Sequence, residues 1–540
     1  MRLSVAVTGL VMLGLLGLAG SRFDDTCEVT VKLTSAADGK ELPGLLRIVD
    51  GDQQQIEVDA LMSRGFGLEG KLGVAKTADI HRWSVLPEST VIRLPQSPVT
   101  IEAISGLETE ASTVTVDLSG RNEAEITIPL SRFADPRARG FRSANTHLHL
   151  MKISREDCDR YLAEVPKADG LDGLFLSYLE RAVADKEYTS NRYTDGDLAS
   201  LEQKSGTRFG NGEEHRHNFG GGGEGYGHVM LLNIKELIQP VSIGPGIMKM
   251  GTDGLPLRRG IDTARRDGAT VVWCHNAWGT EALPNLLTAR IDAQNIFDGG
   301  SRNSYKDSFY RYLNAGIKVP FSTGTDWFIY DFSRVYVQMD GQLTIERWLD
   351  ALRAGKSFIS NGPLLEFRVN GKRLGETVSL DAPASVSVSA VARGRIDFER
   401  LELISNGRVV ETQSSRAVGD HYEAEFALEL PVGEPCWLAV RTPPPPVKDD
   451  PSLQHPVPKN ELGRDLFSHS SAIYVEVAGR SHFDETVARE LLAQMKANRE
   501  AIAENATFAD DQERARVLDV HSDGIAVLEK RIANHGLRGK

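Results

Sequence analysis

Apolar and polar residues alternate with a period of two over 28–33, 45–49, 99–104, 113–118 and 124–130. Successive side chains of a strand point to opposite faces, so each run presents one apolar face. Asp38-Gly39 and Pro43-Gly44 fall between the first runs as turn signals. Short strands parted by turns predict a β-sandwich over residues 27–135. From about residue 140 the rhythm changes. Residues 261–267 read as the end of a helix, Gly268 as its cap, and 269–274 as a buried strand ending at His275-Asn276. The pattern recurs at 309–315, Gly316 and 317–321, followed by Ser322-Thr323-Gly324-Thr325-Asp326. Helices alternating with apolar strands predict a parallel α/β sheet or barrel. A last helix over 348–354 is closed by Gly355. Runs at 367–371, 384–391, 401–405, 422–430 and 472–477 return to the strand pattern, predicting a second, Ig-like β-sandwich over 356–480. Pro443 to Pro446 and the Lys448-Asp449-Asp450-Pro451 that follows make a stiff excursion. The tail, 483–540, has helical spacing, with Asp510-Asp511 between two helices. It either packs on the rest or forms an oligomerisation hairpin. The fold class is multidomain α/β.

A chain of 540 residues exceeds what one core holds. The net charge of -13 lacks the basic footprint that nucleic-acid binding needs. Arg2, the apolar run 5–18 and the small residues Ala19-Gly20-Ser21 predict a signal peptide over 1–21. Export to the periplasm or beyond follows, with no membrane span after cleavage; an uncleaved anchor is the alternative. The 4 cysteines make no disulfide framework. Cys274 neighbours His275 but alternates to the other face of a strand, so it reads as a core cysteine.

Chemistry concentrates in five motifs: His147-Leu148-His149, Glu213-Glu214-His215-Arg216-His217, Gly227-His228, Cys274-His275 and Thr325-Asp326. Two histidines one residue apart share a face of a strand. His275 and Asp326 follow strand ends, where parallel α/β folds build their sites. Imidazole and carboxylate donors suit Zn, Mn or Fe. The run Gly220 to Gly223 has no Lys-Ser/Thr after it, so it predicts a loop at the mouth of a site and not a phosphate cradle.

The order His-x-His, Glu, Gly-His, strand-end His, strand-end Asp resembles the PHP (polymerase and histidinol phosphatase) metallohydrolases. Residues 351–365, Ala-Leu-Arg-Ala-Gly-Lys-Ser-Phe-Ile-Ser-Asn-Gly-Pro-Leu-Leu, resemble the CehA/McbA-like branch. The resemblance covers roughly residues 140 to 430 and implies a distorted (β/α)7 barrel over 140–350. It implies that His147, His149 and Asp326 hold one divalent metal ion, that His228 and His275 hold a second, and that Glu214 bridges them, with Glu213 as the rival bridge. The family's Ser-Asp-Gly, Thr-Asp-His and Asp-x-His stand here as Ser154-Arg155-Glu156, Ser177-Tyr178-Leu179 and Asp326-Trp327-Phe328. The histidines of a third metal are thus missing, and a two-metal site is expected. Such a pair activates water against an ester, foremost a phosphoester, of a small molecule or polymer. His215, Arg216 and His217 are the expected catalytic or orienting groups; Arg181 and Arg192 are further candidates for an anionic group, although arginines more often make surface pairs and that reading is preferred for both. The alternatives are a carboxyl or carbamate ester hydrolase, an enzyme acting on a cell-envelope polymer, and a scaffold with a degenerate core.

Overall fold

The computed structural model describes residues 26–68, 78–181, 188–220, 225–276, 278–300, 303–447 and 454–538. The expected signal peptide, Gly221 to Gly223 and Lys448 to Pro451 lie outside the described residues. In the N-terminal part, strand Thr26–Ser35 pairs with Thr90–Pro95 and Glu123–Leu130 in one sheet. Gly44–Asp50, Pro98–Ile104 and Ser112–Asp117 build the other. Val29, Val31 and Leu33 from the first meet Ile48, Ile101 and Ala103 from the second in one buried cluster. Each such aliphatic side chain stabilises the pair of sheets by roughly 1.5–3 kcal/mol.

The central sheet begins with Phe141–His149. That strand runs parallel to Gly173–Tyr178 on one flank. On the other it meets Asp326–Trp327, parallel, and Arg334–Gln338, antiparallel. Because one flank of this first strand takes the next strand in the chain and the other takes strands from the far end of the same segment, the sheet curls back on itself. Arg208–His217, Gly227–Leu232, Thr270–Trp273, Ala293–Asn295 and Phe321–Ser322 continue it. The expected all-parallel order fails at Gly227–Leu232, which is antiparallel to both neighbours. Its connection to the preceding strand spans only residues 218–226, too short for a crossover helix, so the chain must turn back as a hairpin. The strand expected over 317–321 shrinks to Phe321–Ser322; Ile317 and Val319 are buried ahead of it. The helices expected before Gly268 and Gly355 are Leu257–Arg266 and Ile345–Arg353, each followed within two residues by its glycine of positive φ. The one expected over 309–315 is Lys306–Tyr310 running into Arg311–Asn314, and Arg155–Ala168 and Asp195–Ser205 are further helices.

Ser357–Ser360 pairs with Arg334–Gln338 on one side and with Ser468–Ser470 on the other. The ladder therefore runs from the central sheet into one sheet of the C-terminal part, 17 strands among the described residues. The opposing sheet comprises Leu364–Val369, Ala384–Gly394, His421–Val432 and Arg416–Val418.

Helices Glu485–Asn505 and Asp511–Arg538 form the tail. Asp484 caps the first, accepting from the Thr486 and Val487 amides. The tail packs on the body: Arg258 donates to Asp523 at 2.6 Å and to the Val520 carbonyl at 3.1 Å. A Cβ on Gly524 would lie 2.7 Å from Pro284 Cα, so glycine is what lets these backbones meet. Among the described residues no helix is long and apolar enough to cross a membrane. All four cysteines are free and buried.

Candidate metal centre

The end of Phe141–His149 brings His147 and His149 inside the curl, with a register shift between Asn145 and Leu148. Asn145 ties the neighbouring turn to this strand. Its Oδ1 accepts from the His147 and Thr325 amides, and its Nδ2 donates to Thr325 Oγ1 at 2.7 Å. Gly324 lets that turn approach, since a Cβ there would stand 2.6 Å from His147 Cβ. The turn delivers Asp326 in the left-handed region, at φ 61°. His275 leaves the end of Thr270–Trp273 with φ 56°. Side-chain-bearing residues in this region are uncommon and concentrate at functional sites.

Strand alternation sorts the run 213–217. Glu214 and Arg216 face the interior; Glu213, His215 and His217 face the opposite way. His215 sits against helix Leu257–Arg266, its Nδ1 2.8 Å from Glu213 Oε1, and a Cβ on Gly260 would touch its ring. His217 donates from Nε2 to Asp253 at 2.8 Å, accepts the Tyr226 amide at Nδ1, and stacks on Tyr226 at 3.8 Å. Both expected catalytic histidines are therefore structural, and Glu213 is excluded as the bridge. Neighbours in sequence on one strand cannot all serve one site.

Six residues converge. Ligand atoms of His147, His149, Glu214 and Asp326 lie within 4.8 Å of one another, and so do those of Glu214, His228 and His275. Glu214 belongs to both groups: Oε2 lies 3.1 Å from His149 Nε2, and Oε1 lies 2.9 Å from His228 Nδ1. All six are buried or nearly so.

Hydrogen bonds behind the rings fix the tautomers. His149 Nδ1 stands 2.8 Å from the Ser177 carbonyl, which can only accept, so Nδ1 carries the proton and Nε2 the lone pair. His147 Nδ1 faces Asp298 Oδ2 at 3.0 Å, with the same consequence. His228 Nε2 faces Asn218 Oδ1 at 2.9 Å, leaving its Nδ1 lone pair toward Glu214. His275 Nδ1 faces Asp298 Oδ1 at 3.4 Å. The Nε2 atoms of His147 and His149 are 3.0 Å apart, lone pair against lone pair. Glu214 Oε1, His228 Nδ1 and Asp326 Oδ1 are buried without a hydrogen-bond partner. An acceptor-only cluster is stable when a cation lies within it. Two ligand nitrogens about 2.1 Å from one zinc-like ion stand roughly 3 Å apart, so the donor set fits a metal ion.

The electrostatics point the same way. Burial works against a charge on His147, but Asp326 and Asp298 outweigh it and hold the imidazole's pKa well above the ordinary value. His275 is raised likewise by Asp298 against burial. Burial lowers the His228 pKa to about 3, keeping a neutral donor. Burial opposes the Glu214 charge, yet Arg216 and the histidines push its carboxyl well below the usual range. The centre thus attracts positive charge that metal ions would supply in place of protons.

Asp298 escaped sequence reasoning, although it orients one histidine of each group. It lies three residues beyond the three-residue strand Ala293–Asn295, too short for a periodic signal. Cys274 is buried in the apolar core, but its sulfur is within 4.8 Å of the His147 and Asp298 ligand atoms, so alternation did not take it away from the centre. Burial pushes its thiol up to about 11, which disfavours a thiolate. Two indoles flank the ligands. Trp278 packs on His228 at 4.7 Å, and Trp327 packs on His149 at 5.4 Å and Tyr188 at 5.7 Å. Arg216 enters from the interior face, 3.6 Å from Glu214 Oε2 and 3 % exposed, its Nε without a partner. Arg181 lies 5.8 Å from the Trp327 ring centre. Arg192 is exposed on another turn, its carbonyl accepting from Arg155. Comparison with protein-family models, curated proteins and solved structures finds no match.

Proposed function

We propose that this chain is an exported metal-dependent hydrolase of phosphoesters, with a PHP-like barrel as its catalytic part. The observation that carries the reading is the set of four imidazole lone pairs and two carboxylates converging on shared space, each imidazole held by a partner that fixes its protonation. Two divalent cations, when bound, supply Lewis acidity and an acidified water.

The chain's own residues supply the rest. His147, His149, Glu214 and Asp326 would hold one cation, and Glu214, His228 and His275 would hold a second. Asp298 and the Ser177 carbonyl keep the ring protons away from the ligand nitrogens. Trp278 and Trp327 shield the ligands from bulk water on two sides. Arg216 is positioned to take an anionic oxygen of the substrate, because a guanidinium matches phosphate geometry and this one is buried beside the bridge. That preference for an anionic oxygen favours phosphoesters over carboxyl and carbamate esters.

The test reconstitutes metal-free protein with Zn, Mn or Fe and assays phosphomonoesters, phosphodiesters, carboxyl esters and carbamates. Metal-dependent phosphoester cleavage, lost in His149→Ala, is expected. An absence of turnover with every ester under every metal would refute the hydrolase and favour a scaffold.

A further inference from the structure

At the far end of the strand that carries His147 and His149 lies a second cavity. Its volume is about 610 Å³, and it opens where the start of Phe141–His149 meets the hairpin after Leu364–Val369. The strand runs from Phe141 in this cavity to His149 in the metal centre, so eight residue steps separate the two places by about 26 Å.

The lining is unusual for a chain of net charge -13. Arg137, Arg139, Arg142, Arg368 and Arg373 face it, against only Asp340 and Glu366. Two of the five are neutralised: Arg137 pairs with Asp172 at 2.7 Å, and Arg139 with Glu366. Glu366 is itself shared with Arg393 at 2.8 Å. Arg142 donates to the Arg137 and Phe141 carbonyls and Arg368 to the Gly371 carbonyl. Arg373 reaches Asp340 only at 3.8 Å, and that aspartate is 90 % exposed, so water screens the pair. Burial and the like charge of Arg393 also pull the Arg139 guanidinium below its ordinary pKa.

We infer that this cavity binds a small organic anion carrying two phosphoryl groups, bridging the central sheet and the C-terminal sandwich. With Arg137 and Arg139 neutralised and Asp340 screened by water, Arg142, Arg368 and Arg373 remain, three charges that a diphosphate balances. Guanidiniums arrive from the start of Phe141–His149 and from the hairpin after Leu364–Val369, so two linked phosphoryl groups can engage both sides at once. The volume falls in the range of small-molecule sites. The inference does not depend on the hydrolase reading, since no residue of the metal centre takes part.

The test is calorimetric titration of the full, metal-stripped chain with inorganic pyrophosphate. Saturable binding is expected, with orthophosphate and sulfate at least about tenfold weaker. Arg368→Ser should weaken pyrophosphate about tenfold, and Arg368→Ser with Arg373→Ser about a hundredfold. Both side chains are half-exposed or exposed, so an unchanged melting temperature checks the fold. Arg216→Ala, at the metal centre, should leave this affinity unaltered. Three results would overturn the proposal: no saturable heat, loss of binding in Arg216→Ala with retention in the arginine pair, or binding only of a long polyanion.

Discussion

Replacing Asp298 by Asn alters two imidazoles at once. The carboxylate faces His147 Nδ1 at 3.0 Å through one oxygen and His275 Nδ1 at 3.4 Å through the other. It also accepts from the His275 amide at 3.1 Å and from Asn295 Nδ2 at 3.3 Å. An amide retains one acceptor. With that oxygen toward the His275 amide, its NH2 faces His147 Nδ1, and the ring answers by moving its proton to Nε2, the atom meant for the metal. With the amide flipped, His275 suffers instead. Either way one ligand of one group is lost as a donor, and the remaining rings gain conformational freedom. Partners of this kind carry about 10–100-fold in metal affinity, or about 1.4–2.8 kcal/mol. The assay is competition against a chelator of known affinity at constant pH, with circular dichroism on the metal-free protein as the fold check. A folded Asp298→Asn with wild-type affinity would refute the tautomer argument. Loss of fold in Asp298→Asn with retained affinity in a folded Asp298→Ala would refute it equally.

Arg216→Ala should leave metal content unchanged and raise KM for phosphoesters about 10–100-fold, since a charge-assisted hydrogen bond is worth roughly 1.5–3 kcal/mol; Arg216→Lys should recover part of it. His215→Gln should keep metal content and turnover within about twofold while lowering unfolding free energy by about 1–3 kcal/mol, measured by urea denaturation, because it breaks a buried contact on the outer face. The His521 imidazole, buried on the tail, is pushed by burial down to about 4. The unfolded chain, with a histidine near pH 6.5, takes up that proton more readily. The stability contributed is complete above about pH 6.5 and is lost as pH falls toward 4, by about 3 kcal/mol. His521→Gln should flatten that acid limb in urea titrations between pH 7 and 4.5.

Alternation and helix–glycine–strand rhythm foretold the long alternating strands of the two sandwiches, the helices Leu257–Arg266 and Ile345–Arg353 and the helical tail, because each such run obeys a single period. They failed where an element is short or its neighbours decide its direction. Gly227–Leu232 reads like any apolar strand, and only its short connection to Arg208–His217 makes it antiparallel. The same alternation that pairs His147 with His149 separates Glu214 from His215, a consequence available from the sequence once residues 208–217 are taken as one strand. Asp298, Asn218 and the Ser177 carbonyl could not be read in advance, since their roles arise from contacts 151, 10 and 28 residues away along the chain.

Metal content by elemental mass spectrometry, on protein purified without chelators, decides whether the six converging side chains form a metal centre. About two divalent ions per chain are expected, abolished by His149→Ala combined with Asp326→Ala. Wild-type protein that remains metal-free after incubation with Zn, Mn or Fe would contradict a metal centre there.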